Sequence, residues 1–99
     1  MVKHIVCFKL KEGESKEKAK EVLLSMKEHT PWLRGIKVHI DELQTARSFD
    51  VILETLFETF MDLEEYQVDR YHVDVVKKHM HAVTEKSISL DFQVEKEEF

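Results

Sequence analysis

Two histidines and a tyrosine, His4, Tyr66 and His72, are the residues of this chain best suited to acid–base chemistry. A neutral histidine, whose ordinary pKa is near ~6.5, can give or take a proton at neutral pH. A tyrosine hydroxyl can donate a hydrogen bond to a carbonyl or to a developing oxyanion. The structural alternatives are that His4 is a buried histidine with one hydrogen-bond partner, and that Tyr66 is a core residue whose hydroxyl reaches the surface.

The spacing of these residues decides whether they can meet. Tyr66 and His72 are six positions apart, which places them about 120° apart on an unbroken helix. Asp69 is suited to cap a second helical piece, and a break there lets both side chains face the sheet. His4 alternates with apolar residues of the first strand, so we expect it to point under the helices. We therefore predict one cavity between sheet and helices, lined by the three residues, with apolar walls. The predicted walls are Phe8, Val22, Met26 and Phe57.

The sequence carries no strong signal for other chemistry. His79 and His81 form a His-x-His pair, but residues two apart on a helix face away from each other, and neither has a cysteine or carboxylate at zinc spacing. With two glycines in the chain there is no phosphate loop, and no GxSxG motif is present. We predict no metal site and no cofactor. Cys7 is the single cysteine, so it forms no internal disulfide, and we expect it to be a core or interface residue and not a nucleophile.

Alternating and helical periodicities predict the elements that hold these residues, in the order β-α-β-β-α-β. The strands are predicted over residues 3–10, 36–41, 49–57 and 87–94. Ser15, Thr59 and Asp69 are predicted helix caps, and the first helix should end near His29 because Pro31 follows. Right-handed crossovers make this a four-stranded antiparallel sheet with both helical segments on one face, the ferredoxin-like α+β arrangement.

Each strand should turn its more apolar face towards the helices. In the last strand that face is predicted to carry Ile88, Leu90, Phe92 and Val94. The opposite face of the sheet should still hold apolar side chains, namely Ile5, Cys7, Ile52 and Leu56, mixed with His39, Asp50, Glu54 and Asp91. Large exposed apolar patches are uncommon on monomers. We therefore predict a homodimer paired sheet to sheet; the alternative is a partly apolar sheet left exposed.

Length and composition set the class of protein. The chain has 99 residues, of which 42% are hydrophobic and 35% charged, so we expect a single domain over residues 1–99. The net charge of -5 disfavours nucleic acid as a partner. No apolar run reaches the ~18 residues of a membrane span. The first ten residues do not form a signal peptide, so the expected location is cytoplasmic. The acidic tail, Glu95 to Phe99, should be frayed.

Four segments resemble the stress-responsive α/β-barrel (Dabb) family: His4–Lys9, Arg47–Asp50, Tyr66–Val73 and Asp91–Phe92. The resemblance spans most of the chain and implies a ferredoxin-like subunit that pairs into a dimeric α+β barrel. A plant branch of that family cyclises linear polyketides. In that branch a histidine on the first strand, and a tyrosine and histidine six apart, line the pocket. The resemblance places these roles here on His4, Tyr66 and His72.

Two functional hypotheses follow. In the first, the protein is a non-catalytic, stress-responsive dimer that binds a small organic ligand, which fits the lack of an activated nucleophile, metal or phosphate loop. In the second, it is a cofactor-independent cyclase, isomerase or lyase acting on a carbonyl-bearing molecule, which fits the convergent trio. In that enzyme His72 would be the acid/base, Tyr66 would bind the carbonyl oxygen, and His4 would orient the substrate or His72.

Overall fold

A four-stranded antiparallel sheet with the order β2-β3-β1-β4 carries three helices in the computed structural model, which describes residues 1–99. The strands are β1 (Val2–Leu10), β2 (Gly35–Ile40), β3 (Val51–Phe57) and β4 (Thr84–Gln93). The helices are α1 (Lys16–Leu24), α2 (Phe60–Val68) and α3 (Lys78–Val83), with 3-10 turns at Ser25–Glu28 and Lys96–Glu98 and a π-helical segment at His72–Lys77. The predicted ferredoxin-like topology is confirmed. No helix has the length and apolar character needed to span a membrane.

The predicted helix caps are present. The Ser15 hydroxyl accepts a hydrogen bond from the backbone N–H of Lys18, and the Thr59 hydroxyl accepts one from Asp62, so each satisfies an N–H that the helix leaves free. The first helix ends at Leu24, and its chain continues as a 3-10 turn to Glu28, which agrees with the predicted end near His29.

The helical layer is interrupted at Asp69, as predicted. There the backbone leaves the helix, with φ -57° and ψ 135°. The Asp69 carboxylate then accepts a hydrogen bond from the backbone N–H of His72 at 3.1 Å and so starts the next helical segment. Asp69 therefore ends α2 through its backbone conformation and caps the next helical segment through its side chain.

The two faces of the last strand lie on the opposite sides of the sheet from those we predicted. Its register pairs Val6 with Ser89 and His4 with Asp91, and directly paired residues share a face. Ser89 and Asp91 therefore point to the helical side of the sheet, although both are exposed at this edge strand. The apolar side chains point outward and are substantially exposed: Ile88 (53%), Leu90 (59%) and Phe92 (40%). Period two separates the two faces of a strand but does not say which one is inside. On this edge strand, assigning the apolar face to the interior was wrong.

Two aspartates predicted on the outer sheet face lie elsewhere. Asp91 is on the helical side because it is paired with His4, which points towards the helices. Asp50 is buried just before β3, where its carboxylate accepts a hydrogen bond from the Leu10 N–H at 2.8 Å and lies 3.6 Å from the Lys16 ammonium. A backbone donor and a lysine that lie close by satisfy this carboxylate, so it is not part of the exposed face.

The C-terminal residues are packed against the sheet and not frayed. The Phe99 ring lies under the ammonium groups of Lys37, at 4.6 Å, and Lys3, at 5.6 Å, two cation–π contacts. It also covers Gly35, where a Cβ atom would come within 2.7 Å of the ring. The missing side chain of Gly35 therefore makes room for Phe99 at one end of the outer face.

Candidate functional site

A cavity of about 240 Å³ lies between the sheet and the helices. Its apolar lining is formed by Val6, Phe8, Leu23, Leu53, Val76 and Met80. Its polar lining is formed by His4, Tyr66, Gln67, His72, Lys77, His81, Thr84, Ser87 and Ser89. The cavity is partly open and mixes an apolar floor with many polar groups, as sites for small molecules do.

The structure places His4, Tyr66 and His72 around this one cavity. The Tyr66 and His72 rings lie 4.1 Å apart between centroids, and the His4 ring is 6.2 Å from Tyr66 in an edge-on arrangement. The break at Asp69 makes this possible, because it removes the angular mismatch of a continuous helix. Both histidines are almost fully buried, with 6% of His4 and 7% of His72 exposed.

His4 is held by a carboxylate that sequence reasoning placed on the wrong face. Its Nδ1 atom hydrogen-bonds the Asp91 carboxylate directly across from it on β4. A carboxylate accepts the Nδ1 proton, which leaves Nε2 of a neutral ring as an acceptor. Asp91 thus orients the His4 ring and sets its tautomer. The same contact satisfies the alternative in which His4 is a buried histidine with one hydrogen-bond partner.

His72 is an uncharged histidine at neutral pH. Burial lowers its pKa to about 4, and the nearby charges of Lys77 and His4 act in the same direction. Its Nδ1 atom contacts the Met26 sulfur at 3.2 Å. Sulfur is a weak acceptor, so a proton on Nδ1 leaves the lone pair of Nε2 available as a base.

Tyr66 stays protonated because burial, with a smaller contribution from the Asp69 charge, raises its pKa well above the usual range. Its hydroxyl donates to the same Met26 sulfur at 3.5 Å. Thioether sulfur is a weak acceptor, so a ligand oxygen that reaches the hydroxyl can replace it as the partner. A carbonyl-binding role requires that exchange of partner.

Three of the four predicted apolar walls stand outside the cavity lining. Phe8 lines the cavity, as expected. Met26 and Phe57 are fully buried behind it, Met26 under the two polar groups just described and Phe57 with its ring 4.9 Å from Tyr66. Val22 packs, half-buried, against the core, while its neighbour Leu23 faces the cavity. Two neighbours on a helix point in different directions, and the sequence spacing did not tell which of Val22 and Leu23 faces the cavity.

The polar wall is the part of the site that sequence reasoning missed. Ser87 and Ser89 come from the face of β4 that is turned towards the helices. Lys77 and His81 come from the helical segment that follows Asp69. A signal was present, because the serines alternate with strongly apolar neighbours. They became lining residues because the face of β4 that carries them is turned towards the helices.

Two further features concern the possible metal ligands and the single thiol. No three histidine, cysteine or carboxylate side chains are grouped closely enough to hold a metal ion. Cys7 is half-buried, and burial, with a smaller contribution from Glu54, raises the pKa of its thiol.

The sheet, its helical cover and the cavity between them define a ferredoxin-like α+β protein. The family model of the stress responsive A/B barrel domain (Dabb) matches residues 2–94, and the chain belongs to this family. No curated protein sequence is significantly similar to it.

Several solved structures share the fold. A dimeric protein of unknown function from Bacteroides fragilis has a TM-score of 0.81 at 22% identity and covers 94% of this chain and 95% of its own. A protein of Arabidopsis thaliana has a TM-score of 0.81 at 20% identity, with 97% of each chain covered. A hydroxynitrile lyase from Passiflora edulis has a TM-score of 0.76 at 19% identity and covers 96% of this chain and 94% of its own.

Proposed function

We propose that this protein binds a small carbonyl-bearing organic molecule in the cavity between its sheet and helices. The observation that carries the proposal is the meeting of His4, Tyr66 and His72 around one partly open cavity of about 240 Å³. The apolar lining suits the hydrocarbon part of such a ligand, and the ring nitrogens and hydroxyls suit its oxygen atoms.

We further propose that the binding unit is a homodimer joined through the outer face of the sheet. That face carries Ile5, Cys7, Ile52, Ile88, Leu90 and Phe92, and the three residues of β4 are exposed in the single subunit. The inversion of β4 makes this face more apolar than the sequence pattern indicated. Several similar structures are described as dimeric. A stable interface buries about 1,200–2,000 Å² in total, and a second copy of the sheet would cover the exposed side chains.

A second candidate function is acid–base catalysis, which the neutral state of buried His72 favours. Its Nε2 lone pair can take the proton from a carbon next to a bound carbonyl. The C–H electron pair then forms a carbon–carbon double bond, and the carbonyl π electrons move to the oxygen, where the Tyr66 hydroxyl donates a hydrogen bond. His4, oriented by Asp91, would hold the substrate. The lyase among the similar structures supports this candidate only as evidence that the fold can carry an active site.

Ligand-observed NMR with acetophenone, a neutral aromatic ketone, tests the binding proposal. We expect saturation transfer to acetophenone from the wild type and a millimolar dissociation constant, which corresponds to about 4 kcal/mol. Ser89→Phe should abolish the signal because its ring fills the cavity. Gln93→Phe places the same ring on the same face of β4 outside the lining and should bind normally. Equal binding by both variants would contradict the proposed site.

The same ketone tests catalysis. Enolisation in D₂O exchanges the methyl protons of acetophenone for deuterium, which NMR follows directly. The wild type should accelerate exchange, His72→Gln should lose the acceleration, and the exposed His29→Gln should keep it. Binding without accelerated exchange would leave the binding function standing and refute the catalytic one.

A further inference from the structure

The cavity lining carries one permanent charge, the positive charge of Lys77, although the protein as a whole is acidic. It includes the cation Lys77 and three histidines but no aspartate or glutamate, whereas the whole chain has a net charge of -5. The Asp91 carboxylate, which hydrogen-bonds His4 from β4, is not among the lining residues. A lining with a positive charge and no carboxylate favours a negatively charged ligand.

The ammonium group of Lys77 is held at the reactive end of the cavity. Its Nζ atom donates to the backbone carbonyl of Gln67 at 2.9 Å, and Gln67 follows Tyr66 in the chain. A lysine ammonium has three N–H donors, so two remain for a ligand. The same positive charge contributes to the lowered pKa of His72, which places it within electrostatic reach of that ring.

Hydroxyl donors continue the polar lining along β4. Thr84 Oγ1 is buried and has no hydrogen-bond partner, and Ser87 and Ser89 line the cavity beside it. A buried hydroxyl without a partner costs free energy unless a ligand or water supplies one. These groups can all donate to an anionic oxygen.

We propose that the ligand of this cavity is an organic acid whose carboxylate lies against Lys77, close to a carbonyl group that accepts a hydrogen bond from the Tyr66 hydroxyl beside His72. The inference rests on the proposed binding function and narrows it to keto acids and their close relatives. The apolar lining excludes an inorganic anion as the natural occupant, because it would leave that half of the cavity without contacts.

Lys77 has a structural role that the test must separate from ligand binding. Its hydrogen bond to Gln67 satisfies one of the free carbonyls at the end of α2. Lys77→Gln removes the charge and retains a side-chain N–H donor, on a side chain that is one bond shorter. Lys78→Gln is the matched control, because it removes the same charge from an exposed neighbour that does not line the cavity.

The probes are benzoylformate and acetophenone, which share the phenyl ketone and differ in a carboxylate against a methyl group. In titrations of the wild type, benzoylformate should bind about tenfold more tightly than acetophenone, the range of one hydrogen bond to a partly exposed charge. Lys77→Gln should remove this advantage, so that benzoylformate and acetophenone bind this variant with the same dissociation constant. Lys78→Gln should keep it, and Lys77→Arg should restore it. Thermal unfolding of each variant reports any loss of fold.

The outcomes separate the two proposals. Acetophenone binding with no preference for benzoylformate would overturn the organic-acid inference and leave the binding function intact. Equal losses from Lys77→Gln and Lys78→Gln would overturn it too, because the preference would then come from overall charge. Failure of both ketones to bind would refute the proposed function and this inference with it.

Discussion

Acidification should destabilise the fold through His72. In the folded protein burial lowers its pKa to about 4, whereas in the unfolded chain it titrates near ~6.5. Between these values the unfolded state binds more protons than the folded state. Stability is therefore complete above the unfolded pKa and falls as the pH drops towards the folded one.

The size of the effect follows from the shift. One pKa unit corresponds to about 1.4 kcal/mol, so the full window is worth about 3 kcal/mol, and the loss between pH 7 and pH 4.5 is about 2–3 kcal/mol. Urea unfolding at fixed protein concentration over this pH range measures it. His72→Phe should lack this part of the pH dependence, and His29→Gln, at an exposed histidine, should retain it.

Two results would refute the reasoning. One is a wild type and a His72→Phe variant that lose the same free energy of unfolding between pH 7 and pH 4.5. The other is an NMR titration in which the His72 ring protonates near its ordinary pKa. Either would mean that the ring is solvated in the folded protein, and the case for His72 as an uncharged base would fail.

Three further predictions address the interface and its neighbours. Leu90→Lys should convert the dimer to a monomer in sedimentation velocity without unfolding it, because Leu90 is 59% exposed in the subunit; Met61→Lys, at a still more exposed site on α2, should remain dimeric. Asp91→Asn should lower the free energy of unfolding by about 1 kcal/mol, measured with urea, because His4 exchanges a charged partner for a neutral one that is part-exposed. Cys7 should react slowly with a thiol reagent at pH 7, because burial raises its pKa; labelling should be faster in the Leu90→Lys monomer, and rapid stoichiometric labelling of the native dimer would contradict this.

The element order and the break in the second helical segment were predictable because their causes are local. Strand alternation in residues 3–10 and the caps at Ser15, Thr59 and Asp69 act between residues a few positions apart. The break at Asp69 in turn predicted that Tyr66 and His72 would meet. A carboxylate that ends one helix and starts the next has that effect wherever the segment packs.

The partners of the site were not predictable in the same way. Asp91 contacts His4 across 87 positions of sequence. Lys77 contacts the carbonyl of Gln67 across the break at Asp69, and the tertiary structure sets the angle between the two helical segments there. Among the predicted walls, Val22 lies one position from the lining residue Leu23, whereas Met26 and Phe57 are buried behind the cavity. Side-chain direction depends on how neighbouring elements pack, and helical spacing constrains it only within a turn.

The sequence by itself determined the ferredoxin-like topology and the meeting of the three ring side chains. The tertiary structure alone decided which face of β4 lies inside. Alternation creates one polar and one apolar face on any strand, and both orientations satisfy the backbone hydrogen bonds of an edge strand. The register against β1 turned the serines and Asp91 towards the cavity and left Ile88, Leu90 and Phe92 outside. That choice supplied the site with its polar wall and the sheet with its apolar outer face, because each strand residue can face only one side.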